Sequence, residues 1–479
     1  MKKDKTVVNS FVKGKNGIIL LTVGIVVVAA VMVLALKNQD VVKISGKAQS
    51  AFEITVGQES GDLTGNTNVV LQEAVDKAAE AGGGTVKILP GKYIMNDSLH
   101  LKAGVNLIGS GDKTILYKPA SVESDIIYYQ GYGHYDVSVA NPEKFEIGMG
   151  VYISDDLSGG FYSTVATVLE KNGTELVLSR KLNADCIPWK NGKVISVYPV
   201  ISGCNIKNAS ISDITIDGNA EENAYLHGMR GGGIFLLQAH DVKINNVVVK
   251  NYNGDGISFQ ACKNTLVENS ICTGNKGYGI HPGSGSVGDI IRNSEFSNNE
   301  SDGVYYCVRV TYSLLEGCTI GENGRNGISI GMRDTDSIIR NNVIKNNKLA
   351  GILIKRDSLN QAGHRTLIEG NRFSGNAYAN EGQQSAKGQI SIISAVSDVH
   401  IVRNVYENAE GTKTSVPLIY VGAQTERVYA YENDPGEYGL LGSSSMKVLD
   451  GYFNMQPEES LLVGPDNIPE AAWKHLGNE

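Results

Sequence analysis

The sequence predicts an all-β protein, a parallel β-helix of three-strand coils 23–24 residues long, and three observations predict it. Asn251, Asn275, Asn299, Asn323 and Asn347 stand 24 residues apart. A second series, Asn245, Asn269, Asn293 and Asn341, keeps the same beat and is broken only by Gly317. Ile234, Ile257, Ile280, Val304, Ile328 and Ile352 follow at spacings of 23, 23, 24, 24 and 24. A unit this short cannot bury a face alone, so the units must stack. A leucine-rich repeat would need several leucines per unit, and these units have almost none. Each instead holds three short β-branched runs parted by Asn and Gly, as residues 325–347 illustrate. Asn side chains at equivalent turns are expected to hydrogen-bond from coil to coil.

The chain opens with five lysines against Asp4 in residues 1–16, then 20 uncharged residues, 17–36. That run is long enough to span a bilayer, and its basic flank stays in the cytoplasm. A single-pass membrane protein with its C-terminal domain outside is expected. The alternative is secretion after cleavage at Val33-Leu34-Ala35. Residues 37–60 read as a stalk, and 61–116 as a capping helix and the first coils. The helix spans 66–82, with Asn66 or Thr67 as cap and Val70, Leu71, Ala74, Val75 and Ala78 as its apolar stripe. The Gly82-Gly83-Gly84 run ends it.

Residues 117–200 break the repeat and read as a β-rich insert that packs against the helix and walls a cleft. Tyr128, Tyr129, Tyr132 and Tyr135 lie in it. Repeats occupy 201–422. After Ile352 the next equivalent position is Ile390, so two loops, near 358–365 and 377–387, must bulge from one face. Residues 423–479 read as a C-terminal covering segment, with a short helix near 469–476. The chain carries −8 overall, and its basic head makes the remainder more acidic still, which argues against nucleic acid as a partner. Six cysteines share no neighbouring-coil register: Cys272 aligns with Phe296 and Cys318 with Ser294. They read as small buried residues rather than disulfides or metal ligands.

From Ala78 to Tyr93 the pattern AxxAGGGTVxxxPGxY resembles the opening segment of the pectate-lyase-like superfamily of right-handed β-helices. The resemblance covers residues 66–110 and 200–422. It implies a right-handed coil and a polysaccharide partner, since these proteins mostly cleave or epimerise acidic polysaccharides; a monomer is expected.

With each repeat Ile turned inward, the alternate residues of that strand face outward. The outward stripe and its turns supply five candidate catalytic residues, Asp255, Tyr278, His281, Asp302 and Tyr305. They also supply five candidate substrate-binding residues, Gln260, Arg309, Arg333, Lys355 and Arg356. C5 epimerases and β-eliminating lyases of uronic acids need a cation for the carboxylate, a base for the C5 proton and an acid. This stripe holds all three types. Tyr278-Gly279-Ile280-His281-Pro282-Gly283 is similar to the YGFDPH motif of alginate epimerases; the Tyr, the first Gly and the Pro match. His281 stands for the motif's Asp and Gly283 for its His. A glycoside hydrolase is the first alternative, with Asp255 and Asp302 two coils apart at ~9–10 Å. A non-catalytic glycan-binding or structural surface protein is the second. Asp334, Asp336 and Asp357 are the candidates for Ca²⁺.

Overall fold

The computed structural model describes residues 52–355, 361–379, 387–393, 395–407, 416–422 and 425–436. The segment 17–36, Arg356, Asp357, most of the two expected loops and the expected terminal helix lie outside them. Among the described residues no helix is long and apolar enough to cross a membrane.

Ten parallel strands stack in one sheet, from Leu99–His100 and Ile201–Cys204 to Ile390–Ile392 and Ile419–Val421. The repeat positions pair in register: Ile234 with Ile257, Ile257 with Ile280, Ile280 with Val304, Val304 with Ile328 and Ile328 with Ile352. The pairing of Ile352 with Ile390 carries the beat across the long interruption. Two further strands per coil form the other faces, as in Leu266–Glu268 and Ile271–Thr273. Their inward residues join the repeat isoleucines in one continuous core running from Ile54 to Val428.

Asn275, Asn299, Asn323 and Asn347 stack inside a turn, and Asn376 extends the column. Each carboxamide oxygen accepts from the preceding coil, and each amide donates onward and to a backbone carbonyl. Asn299 Nδ2, for example, reaches Asn323 Oδ1 at 3.0 Å and Cys272 O at 3.1 Å. Asn251 does not belong to this column; it is exposed, with a left-handed backbone. A second buried column, Asn342, Asn371, Asn404 and Asn433, continues a register held earlier by Ser270, Ser294 and Cys318. The series at Asn269, Asn293 and Asn341 serves a different purpose. These residues sit on the surface with φ near +50°, as does Gly317, and Asn and Gly are the residues that tolerate it.

The helix spans Asn68–Glu80 and buries the expected stripe; the Thr67 side chain makes no capping bond. The stalk ends earlier than residue 60: Glu53–Gly57 is a strand paired with Gly84–Ile88. The insert is a six-stranded antiparallel sheet between Glu123 and Ile195 with a core of its own. All six cysteines are free, and all but Cys204 are buried.

Replacing Asn299 by Ala removes the buried acceptor of both the Asn275 N–H and Asn275 Nδ2. Each such loss costs about 1–3 kcal/mol, so the unfolding free energy of Asn299→Ala in urea should fall by about 2–6 kcal/mol in total with the slope unchanged. Asn269→Gly, at an exposed position where another coil already carries Gly, should stay within ~0.5 kcal/mol. Equal losses in the two variants would remove the distinction between the columns.

Candidate active site

The alternation of the ten-stranded sheet puts Ser258, His281, Tyr305 and Ser329 on one register line, facing away from the core. Outward does not mean exposed. His281 is 1 % exposed, and Asp255, Ser258 and Gln260 are wholly buried. The segment before the first repeat Ile, Ala224 to Gly233, folds back over them. Leu226 bridges to Gly254, and Ser258 Oγ donates to Gly228 O at 2.6 Å. Gly228 lies so close that a Cβ there would sit 1.6 Å from Asp255 Oδ2 and 2.7 Å from His281 Nδ1. His281 is therefore packed into the fold, and a change there disturbs the segment that covers it.

Under this cover His281 Nδ1 meets Asp255 Oδ2 at 2.7 Å, while Asp255 Oδ1 accepts the Tyr278 N–H at 2.9 Å. Burial pushes the imidazole pKa down. The hydrogen bond to Asp255, with a smaller contribution from the Cys307 thiol, outweighs it and brings the pKa to about 9. Cys307 is near enough to act on the ring, yet Nε2 has no hydrogen-bond partner of good geometry. At neutral pH the site thus holds a buried imidazolium against a carboxylate.

Two phenols close the solvent side. Tyr278 and Tyr305 stack with ring centroids 4.0 Å apart and planes 8° from parallel. His281 meets both edge-on, at 5.3 and 5.2 Å. Lys355 Nζ lies 3.6 Å from the Tyr305 centroid and donates to Tyr306 O. Burial, then the neighbouring Tyr305 and carboxylates, raise the Tyr278 pKa and keep it a proton donor.

Two groups of arginines on the stack differ in their partners. Arg292, Arg340, Arg365, Arg403 and Arg427 each pair with an acidic residue of an adjacent coil. Arg309 and Arg333 occupy equivalent left-handed turn positions on successive coils, both exposed, and neither forms an ion pair among the described residues. Charge balance on an acidic surface accounts for the first group and leaves the second unexplained.

Other candidates have structural work. Asp302 Oδ1 accepts the Asn326 N–H at 2.8 Å and its Oδ2 accepts Ser329 Oγ at 2.7 Å. Asn326 treats the next coil likewise, so Asp302 belongs to a turn column and is 2 % exposed. Gln260 bonds Ser258 and Ser284. These placements remove Asp302 and Gln260 from an accessible groove. Arg356 lies outside the described residues. Asp334 accepts from the N–H groups of Val310 and Gly331, and Asp336 is gripped by Arg365. Among the described residues no three His, Cys, Asp or Glu are grouped to hold a metal.

The family description "right handed beta helix region" matches residues 180–308 and 232–406. The fold is a right-handed parallel β-helix. No curated protein matches its sequence. Among solved structures, the A-module of the mannuronan C-5 epimerase AlgE4 of Azotobacter vinelandii is similar over 79% of this chain and 95% of its own, at 16% identity and a TM-score of 0.49. The tailspike protein gp49 of Pseudomonas phage LKA1 is similar over 76% of this chain and 73% of its own, at 14% identity and 0.36. PfbA, a surface adhesin of Streptococcus pneumoniae, is similar over 76% and 85%, at 14% identity and 0.43. Likeness at these identities concerns the fold alone.

One residue at the site carries no periodic signal. His227 stands in the covering segment, half-buried, its Nδ1 accepting the Met229 N–H at 3.2 Å. Desolvation, partly offset by Asp255 and reinforced by His281, lowers its pKa. The two histidines therefore hold opposite protonation states at neutral pH. The only sequence hint was the glycine-rich run that follows it, Gly228 and Gly231 to Gly233.

The raised pKa of His281 has a consequence for stability. Unfolded, it titrates near ~6.5; folded, at about 9. Its contribution is complete below ~6.5 and is lost as pH rises through 9. Burial raises Asp289 to about 7 and Asp334 to about 6, favouring low pH in a more acidic window, whereas burial lowers Lys118 to about 7 and opposes them. The variant isolates the His281 part: urea midpoints of His281→Gln should decline less than wild type between pH 6.5 and 9. Parallel curves would contradict the charged pair.

Proposed function

We propose that the protein is an exported, membrane-anchored enzyme acting on an acidic polysaccharide by β-elimination or C5 epimerisation. The observation that carries this reading is the pair of unpaired arginines, Arg309 and Arg333, on the same face as the Tyr278–Tyr305 stack and Lys355. Successive coils lie ~4.8 Å apart, so the two guanidinium groups suit carboxylates of a polyuronate laid across the coils. Tyr305 takes the C5 proton, with the Lys355 ammonium offsetting the charge of its phenolate. Tyr278, held protonated, donates to the opposite face or to the leaving oxygen. His281, charged and braced by Asp255, adds a fixed positive field behind the phenols. His227 offers Nε2–H as a donor at the rim. The hydrolase alternative loses support because both of its carboxylates are buried and fully hydrogen-bonded.

A second reading, glycan binding without catalysis, draws on the insert. Tyr128, Tyr132, Tyr162 and Trp189 are 64–74% exposed there, and such rings are the usual platforms for sugar faces.

A panel of uronic-acid polysaccharides, read by absorbance of unsaturated ends and by NMR of epimerised residues, decides between the readings. Tyr305→Phe should lose at least ~100-fold in turnover. Arg333→Ala should chiefly raise KM by about tenfold, and added salt should mimic it. Full activity in both variants would place the chemistry elsewhere. Binding without turnover, abolished by Trp189→Ala, would favour the second reading. Protease added to intact cells should degrade the β-helix, and its protection would reverse the orientation.

A further inference from the structure

A second cluster lies where the insert meets the first coils, on the same sheet face as His281 but three strands earlier in the stack. The strand Leu99–His100 pairs with Ile201–Cys204, which sets His100 beside Ser202. His100 Nδ1 is 2.9 Å from Ser202 Oγ, and His100 Nε2 is 3.3 Å from Asp97 Oδ2. Asp97 is buried and fixed from two sides, by the Ser98 N–H on Oδ1 at 2.7 Å and by Thr167 Oγ1 of the insert on Oδ2 at 2.6 Å. The helix residue Gln72 clamps the His100 backbone at both its N–H and its C=O. Helix, first coil and insert thus converge on one hydroxyl–imidazole–carboxylate chain.

The chain opens on a cavity of about 170 Å³ between the insert and the solenoid. That is below the ~300–1,000 Å³ of sites for drug-sized ligands, and suits a short acyl group rather than a sugar polymer. Phe235 and Leu237 give it an apolar wall, and Arg180 and Arg230 give it cations. The Nε–H of Arg230 is buried with no hydrogen-bond partner. A cross-strand His–Ser bond made only for stability needs neither a cavity at the hydroxyl nor an orphaned guanidinium N–H facing the same region.

We propose that Asp97, His100 and Ser202 form a second, separate catalytic site that hydrolyses short-chain carboxylic esters. Ser202 Oγ attacks the ester carbonyl carbon while its proton passes to His100 Nδ1. Asp97 holds the ring with Nε2–H toward its carboxylate, which leaves Nδ1 free to accept. Arg230 Nε–H and Arg180 stabilise the oxyanion. The carbonyl–oxygen single bond then breaks, and the departing alcohol takes the proton from His100. Water, deprotonated by the same nitrogen, cleaves the acyl-serine to give a carboxylic acid and restore the Ser202 hydroxyl. Asp97 touches no substrate; it is a positioning residue.

The test uses para-nitrophenyl esters of increasing chain length and a fluorophosphonate probe with peptide mapping, both on the full chain. The esters carry no uronate, so they report this site whatever the polysaccharide panel gives. The probe should label Ser202. Acetate should be hydrolysed faster than octanoate. Ser202→Ala should lose label and at least ~100-fold in rate, and Asp97→Asn should lower kcat with KM little changed. Hydrolysis no faster than buffer, label on another residue, or full activity in Ser202→Ala would each overturn the proposal. The mapping needs no variant, so it remains decisive even where a substitution disturbs folding.

Discussion

Everything in this protein depends on adjacent coils keeping one register at the strand spacing of ~4.8 Å. Backbone ladders enforce it along the three faces, and amide columns enforce it inside the turns. A slip by one residue would turn every inward isoleucine outward and break the Asn275-to-Asn376 column at once. The same register builds the candidate site. Asp255, His281 and Tyr305 meet only because residues 24 to 26 apart along the chain become neighbours across a coil, and Lys355 reaches Tyr305 from two coils further on. Chemistry placed on such a face inherits the stiffness of the stack, which is what fixed donors and charges need.

The stack also explains how one face can be functional while two others are structural. On the paired faces, acidic and basic residues of adjacent coils neutralise each other, as in Glu268 with Arg292 and Glu316 with Arg340. On the site face that pairing stops at Arg309 and Arg333. The added chain length emerges there too, before Ile234 and after Ile354. The core can keep its beat while the covering segments vary.

Much of this was legible in the sequence, and the limits have a physical cause. Period-24 asparagines and isoleucines fixed coil length, inward faces and the pairing of Ile352 with Ile390, because stacking imposes that period on anything that takes part in it. The apolar stripe of the helix was legible for the same reason at a shorter period. Alternation tells which side of a strand a residue faces but not what later covers that side, so His281 and Gln260 read as accessible. Asp302 looked catalytic because turn columns and acid–base sites use the same residue type. His227 and the His100–Ser202 contact lie off the beat, the latter spanning 102 residues, and no periodic signal reaches them.

The insert interrupts the stack early. Leu99–His100 must wait for Ile201–Cys204 before its sheet can grow, whereas Ile201 finds Ile234 after 33 residues and each later coil up to Ile352 finds its partner after 23 or 24. The order of folding follows. Beyond residue 201 assembly can proceed coil by coil as the chain emerges, each new turn templated by the last. The helix-capped end is the slow step, since it closes only after roughly a hundred residues have been made and the antiparallel sheet has formed. Chains stalled there would display a bare strand edge, the kind of surface on which another chain can pair.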